Sequence, residues 1–155
     1  MKIVNTLEMY DISKFKKIFK NTDTVISIYS NKRELLKEMS DADAFLASAS
    51  VKIDEVFLNN SPNLKVIGSP STGTDHLDLE LIKKKKIVCY DISKEFKLIN
   101  SFSATSELSF TLMLMLNRKV IPASLDAKKG IWAREKYTGY QLKNKTLGII
   151  GLGRL

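Results

Sequence analysis

Short apolar runs alternate with amphipathic stretches over about residues 1–92. Ile3-Val4 predicts a brief opening strand, and Ile12, Phe15, Ile18 and Phe19 follow at helical spacing. Val25-Ile26-Ser27-Ile28-Tyr29 predicts a second strand, after which Asn31 is placed to cap a helix carrying Leu35, Leu36 and Met39. Asp43-Ala44-Phe45-Leu46-Ala47 reads as a third strand. Ile53, Val56 and Phe57 then mark a short helix closed by Asn59-Asn60-Ser61-Pro62. Leu64-Lys65-Val66-Ile67 is the fourth strand, Leu79 to Lys85 the next helix, and Ile87-Val88-Cys89-Tyr90 the fifth strand. Strands that are apolar almost throughout and alternate with helices predict an α/β fold, a doubly wound parallel sheet.

Beyond residue 92 the pattern changes. Residues 93–102 carry no clear period, and residues 103–119 read as one long helix. Leu108, Phe110, Leu112, Met113, Leu114, Met115 and Leu116 wrap most of its circumference, so it is expected to be buried between bodies rather than to lie on one. Pro122 is expected to break it, and a shorter helix to run to Gly130. Trp132 leads through Thr138-Gly139-Tyr140 to a closing strand at Thr146-Leu147-Gly148-Ile149-Ile150. The division falls near residue 100, giving regions 1–100 and 101–155.

Hydrophobic residues make up 44% of the 155, enough for a real core. The first residues lack a signal-like apolar stretch, and the most apolar run, Leu108 to Leu116, is too short to span a bilayer. No membrane partner is expected. A lone cysteine, Cys89, forbids an internal disulfide and fits a reducing compartment, so a cytoplasmic location is expected. The formal charge of +8 raises the question of a polyanion partner. The lysines are dispersed, however, and the dense run Lys83-Lys84-Lys85-Lys86 sits where a helix should end, where cations complement its dipole. No aromatics interleave with it, so nucleic acid is not expected as a partner.

Two segments can carry chemistry. Ser69-Pro70-Ser71-Thr72-Gly73-Thr74-Asp75-His76 follows an apolar strand, at the edge where open α/β sheets bind ligands, and its small residues offer backbone amides to a carboxylate or phosphate. The alternative is a plain connecting loop with Asp75 capping the next helix. His76, the only histidine, is expected to be a packed, hydrogen-bonded side chain, and one histidine and one cysteine make no metal cluster. Ser48 and Ser50 lack a nucleophile-elbow context, and Glu107 suits a helix N-terminus better than a general base. The second segment is Gly151-Leu152-Gly153-Arg154-Leu155 after an apolar run, the beginning of a dinucleotide phosphate loop. A third glycine, the following helix and an acidic ribose ligand are not among these residues. The chain by itself is therefore not expected to hold the cofactor.

Four segments in order carry a resemblance: Thr72-Gly73-Thr74-Asp75-His76-Leu77-Asp78, Ala104-Thr105-Ser106-Glu107-Leu108, Gly130-Ile131-Trp132, and Leu142 through Arg154. Together they resemble the first half of a D-isomer-specific 2-hydroxyacid dehydrogenase, the family that includes phosphoglycerate dehydrogenase and glyoxylate/hydroxypyruvate reductase. The resemblance implies a flavodoxin-like substrate domain over 1–100, a long interdomain helix, and the first strand of a Rossmann NAD-binding domain over 101–155. It implies an oxidoreductase interconverting a D-2-hydroxy acid and a 2-keto acid with NAD, NADP being left open. Thr72 and Gly73 would hold the substrate carboxylate, with Thr72 also facing the nicotinamide. Thr105 would lie near the cofactor, and Gly151, Gly153, Arg154 and Leu155 would wrap its pyrophosphate. Trp132 and the long helix would be structural, and a homodimer or domain-exchanged oligomer is expected. The family's catalytic arginine, glutamate and histidine would lie in the nucleotide domain past the segments matched here, so no catalytic residue is assigned in this chain and the fragment is expected to be inactive. The alternative is a stand-alone flavodoxin-like module that binds a small carboxylate or a protein.

Overall fold

The fold was analysed in a computed structural model that describes residues 1–8, 18–19, 23–29, 31–151 and 153–154. It divides into two compact units, Met1–Ile99 and Asn100–Leu155. Five strands form the first unit: β1 (Lys2–Asn5), β2 (Thr24–Ser27), β3 (Ala44–Leu46), β4 (Val66–Ser69) and β5 (Val88–Asp91). They make one parallel sheet in the order β2-β1-β3-β4-β5, the arrangement of flavodoxin-type folds. Val4 stands beside Phe45, and Phe45 beside Ile67, so large apolar side chains line up across the sheet centre. The edge strands β2 and β5 are more exposed than the three between them, because only the inner strands have a neighbour on both sides.

The helices of this unit begin where side chains can accept their free N–H groups. Asn31 Oδ1 accepts from the amides of Arg33 and Glu34, opening α1 (Lys32–Met39). Asp54 accepts from Phe57 N to open α2 (Glu55–Asn59). Asp78 accepts from Leu81 N to open α3 (Leu79–Lys84), so Asp78, not Asp75, is the cap. The reason is register: a cap acts on an amide three residues on, and the helix starts at Leu79. Leu35 and Met39 of α1, Phe57 and Leu58 of α2 and Ile82 of α3 pack on the sheet with Val4, Phe45 and Ile67.

The lysine run has a local explanation. Lys86 takes a left-handed conformation, φ 60°, past the end of α3. Its amide donates to Lys83 O, and Ile87 N donates to Ile82 O, which closes the helix as glycine usually does. Ile82 and Ile87 are buried while Lys83 to Lys86 are exposed, so the run is the solvated end of a capped helix.

Asp43 ties the amino edge of the sheet together. Its carboxylate accepts from Lys2 N at 2.9 Å and from Lys65 Nζ at 2.7 Å. The Lys65 ammonium first, and the Lys2 amide second, hold its pKa below the ordinary 3.8. A depressed folded-state pKa contributes stability that is present above the unfolded value and lost as pH falls through the folded one. Asp43→Asn is therefore expected to lower the thermal midpoint at neutral pH, and the difference from the parent should shrink as pH falls below 3.8. A gap that stays constant from pH 7 to pH 2 would refute this.

Residues 93–102 are not wholly irregular, since Phe96–Ile99 forms a short helix, α4, with Ile99 buried. The helical spacing at Ile12 and Phe15 lies outside the described residues, as does Leu155. Ile18 and Phe19 lie in a turn and bend, with Ile18 76% exposed.

The second unit contains α5 (Ala104–Asn117), α6 (Val120–Lys128) and a 3₁₀ turn at Arg134–Tyr137. The long helix ends at a left-handed Lys119, φ 51°. Pro122 sits in the first turn of α6, where its missing N–H costs nothing, so Lys119 and not Pro122 makes the break. Gly130, φ 73°, closes α6, with Ile131 N donating to Asp126 O. Asp126 also accepts from Lys136 Nζ at 2.8 Å and from the Tyr137 hydroxyl, which fastens the 3₁₀ turn to α6. No residue of α5 or α6 is buried: Leu108, Phe110, Leu112, Leu114 and Leu116 all expose apolar surface, as a helix made to lie between bodies does when no second body covers it. Nor do residues 146–150 form the expected strand. They have no ladder partner among the described residues, and a strand is made by its partner as much as by its own propensity.

Candidate functional site

The carboxyl ends of β1, β3 and β4 are stitched together by their loops. Thr6 Oγ1 donates to Leu46 O and accepts from Ser48 N, while Ala47 N donates to Gly68 O. Gly68 is where β3 and β4 approach closely, since a Cβ there would stand 3.2 Å from Leu46 Cδ2. Further out, Ile53 forms a parallel bridge with Leu77: Ile53 N donates to His76 O at 2.8 Å, and Asp78 N donates to Ile53 O at 3.0 Å. Ile53 and Leu77 are both buried. The two loops are thereby held in register over a pinned, apolar base.

Between them opens a cavity of about 590 Å³ lined by Ala49, Ser50 and Lys52 from one loop and Ser71, Thr72, Gly73, Asp75 and His76 from the other. Thr72 and Gly73 are exposed at this carboxyl edge, where backbone amides can meet an anion. A Cβ on Gly73 would meet only Asp75 Oδ2, at the ordinary contact distance of 3.5 Å, and its φ is not in the left-handed range. The fold does not demand glycine there, but a ligand lying against the backbone would. His76 shares a hydrogen bond with the buried Ser69 hydroxyl, Nε2 to Oγ 3.1 Å, and is the packed histidine expected. Ser48 and Ser50 pair with each other through their hydroxyls. Burial, and secondly the nearby Asp91 carboxylate, push the Cys89 thiol pKa up. No group of three or more metal-ligating side chains occurs among the described residues, and none of their helices is long and apolar enough to cross a membrane.

The other sequence candidates lie in the second unit. Thr105 is in the first turn of α5, exposed, with its carbonyl accepting from Ser109 Oγ at 2.9 Å. Gly151 has φ 92°, the conformation a tight glycine turn requires, and a Cβ on Gly153 would meet open space. Arg154 Nη1 donates to Phe102 O at 3.3 Å. A glycine with positive φ at residue 151 suits the start of a phosphate loop. Reading the sequence alone missed Ser50 and Lys52. Their signal was available: small and basic residues directly after an apolar strand, at the same sheet edge as Thr72.

A parallel sheet with this order, open to a polar cavity at its carboxyl edge, defines a flavodoxin-like α/β fold. Residues 3–95 match the catalytic domain of D-isomer specific 2-hydroxyacid dehydrogenases, and residues 110–155 match the NAD binding domain of the same enzymes. The chain belongs to the D-isomer specific 2-hydroxyacid dehydrogenase family. It is 34% identical to D-3-phosphoglycerate dehydrogenase of Homo sapiens over 125 residues, 81% of this chain and 22% of the relative. It is 33% identical to a glyoxylate reductase of Thermococcus litoralis over 128 residues, 78% of this chain and 37% of that enzyme. A crystal structure of a Thermus thermophilus protein matches with TM-score 0.80 at 26% identity, over 99% of this chain and 50% of that one. The chain thus spans half or less of the length of these relatives.

Proposed function

We propose that this chain supplies the substrate-side wall of an NAD(P)-dependent oxidoreductase interconverting a D-2-hydroxy acid and a 2-keto acid. Residues 1–100 act as the substrate domain, and residues 101–155 begin the nucleotide domain. The observation that carries this reading is the Thr72-Gly73 backbone, open on a cavity at the carboxyl edge of a sheet whose sequence matches the family's catalytic domain. The amides of that step hold the substrate carboxylate. With NAD bound, Thr72 would also face the nicotinamide and Thr105 would lie near it, while Gly151, Gly153, Arg154 and Leu155 would hold the pyrophosphate. NAD would supply the hydride acceptor, while this chain's own residues bind and orient the acid. The 155 residues alone turn over no substrate, the protein works in the cytoplasm, and its apolar α5 is covered in a dimer.

Binding of an acid to the chain itself tests the assignment. D-lactate titrated into the labelled chain should shift the Gly73 amide in its NMR spectrum. Gly73→Ala keeps the amide but puts a methyl where the acid lies against the backbone, which should lengthen that hydrogen bond and weaken binding roughly tenfold. The melting temperature should stay unchanged, because the fold has room for the added methyl. Equal affinity in parent and variant would remove the carboxylate from this step.

A further inference from the structure

Lys52 lines the Thr72-Gly73 cavity from the opposite loop, on backbone pinned by the residues that follow it. Its neighbour Ile53 is fully buried and bridged to Leu77, and the next residue, Asp54, is locked as the cap of α2. Side chains alternate along extended backbone, so burial of Ile53 turns Lys52 away from the core, and Lys52 is exposed. Among the described residues, Lys52 is the only lysine or arginine lining the cavity. Lys2, Lys65, Lys85 and Lys136 each have an acidic or amide partner. No such partner is recorded for Lys52 among the described residues. Beside it, Ser50 adds a hydroxyl donor, while the other loop contributes the carboxylate of Asp75.

We infer that Lys52 selects 2-hydroxy acids carrying a second carboxylate, which it binds while the Thr72-Gly73 amides hold the first. This rests on the proposed role of Thr72-Gly73. A carboxylate fits better than a phosphate: phosphate recognition favours several converging cations, whereas this cavity offers one ammonium and sets an aspartate nearby. The distal carboxylate therefore lies on the Ser50–Lys52 side, away from Asp75.

The test compares D-malate with D-lactate, which lacks the second carboxylate, on the intact chain by NMR titration. D-malate should bind roughly two- to fivefold more tightly, as expected for an exposed ion pair, and the advantage should decline with added salt. Lys52→Ala should abolish the advantage while leaving D-lactate affinity unchanged, and Lys52→Arg should restore it. If Lys52→Ala weakens both acids equally, or D-malate keeps its advantage, the selectivity assignment fails. In that event a Gly73 shift with D-lactate would leave the carboxylate site standing. If neither acid shifts Gly73, the substrate-wall assignment fails and the role of Lys52 fails with it.

Discussion

Phe45→Ala is expected to remove about 3–5 kcal/mol from the first unit, a large part of the 5–15 kcal/mol that holds a typical domain together. Phe45 is fully buried on β3, the central strand, between Val4 and Ile67. Its ring lies 5.0 Å from that of Phe57 at a 40° tilt. Truncation would empty space bounded by both neighbouring strands and by α2, and the sheet backbone cannot collapse into it without breaking ladder bonds. The midpoint of thermal unfolding should fall by on the order of 15 °C or more for a unit of this size. The site should suffer as well. Phe57 N is the group capped by Asp54, so loosening Phe57 loosens the end of the loop that carries Ser50, Lys52 and Ile53. Phe45→Leu, which keeps most of the volume, should cost far less. A Phe45→Ala chain melting within a few degrees of the parent, by circular dichroism, would show that this ring is not central to the core.

The same core explains how much could be read without coordinates. Val4, Phe45 and Ile67 stand in apolar runs between turn signals, and such runs become inner parallel strands wherever helices can cover both faces. Asn31 before an amphipathic stretch was equally legible, because an N-cap is a local interaction between a side chain and nearby amides. Thr72 and Gly73 were visible through loop chemistry and family resemblance. Lys52 was legible only in part: a basic residue just after an apolar strand marks the ligand edge, but its place opposite Thr72 depends on the Ile53–Leu77 bridge, which joins segments far apart in sequence. The missing strand at residues 146–150 is the converse case. Its apolar run was legible, but pairing needs a neighbour, and Ile149 and Ile150 instead stand exposed. Asp78 stands directly before Leu79 and so at the cap position, whereas Asp75 lies three residues too early to reach the amide of Leu81.

Gly139→Ala should dislodge the segment that follows the 3₁₀ turn in the second unit. Gly139 does not have a positive φ, so its requirement is space and not conformational freedom. A Cβ there would stand 2.3 Å from Asn117 O and 3.1 Å from Arg118 Cα, both backbone atoms that cannot swing aside. The contact is built at the C-terminus of α5, where helix carbonyls lack intrahelical partners. Asn117 reinforces it by donating from its side-chain amide to Tyr140 O. An added methyl must therefore lift residues 138–140 from the helix end, at a cost of about 1–3 kcal/mol. With no buried residue on α5 or α6 to absorb the loss, the effect should appear as local opening. Amide exchange at Lys136 and Thr138 should accelerate as the loop lifts, whereas Ile87, buried in the first unit, should exchange as before. Asn117→Ala, which deletes only the side-chain bond, should accelerate the same amides by a smaller factor. If Gly139→Ala leaves exchange at Lys136 and Thr138 unchanged, the close approach at Asn117 is not what holds this segment to the helix.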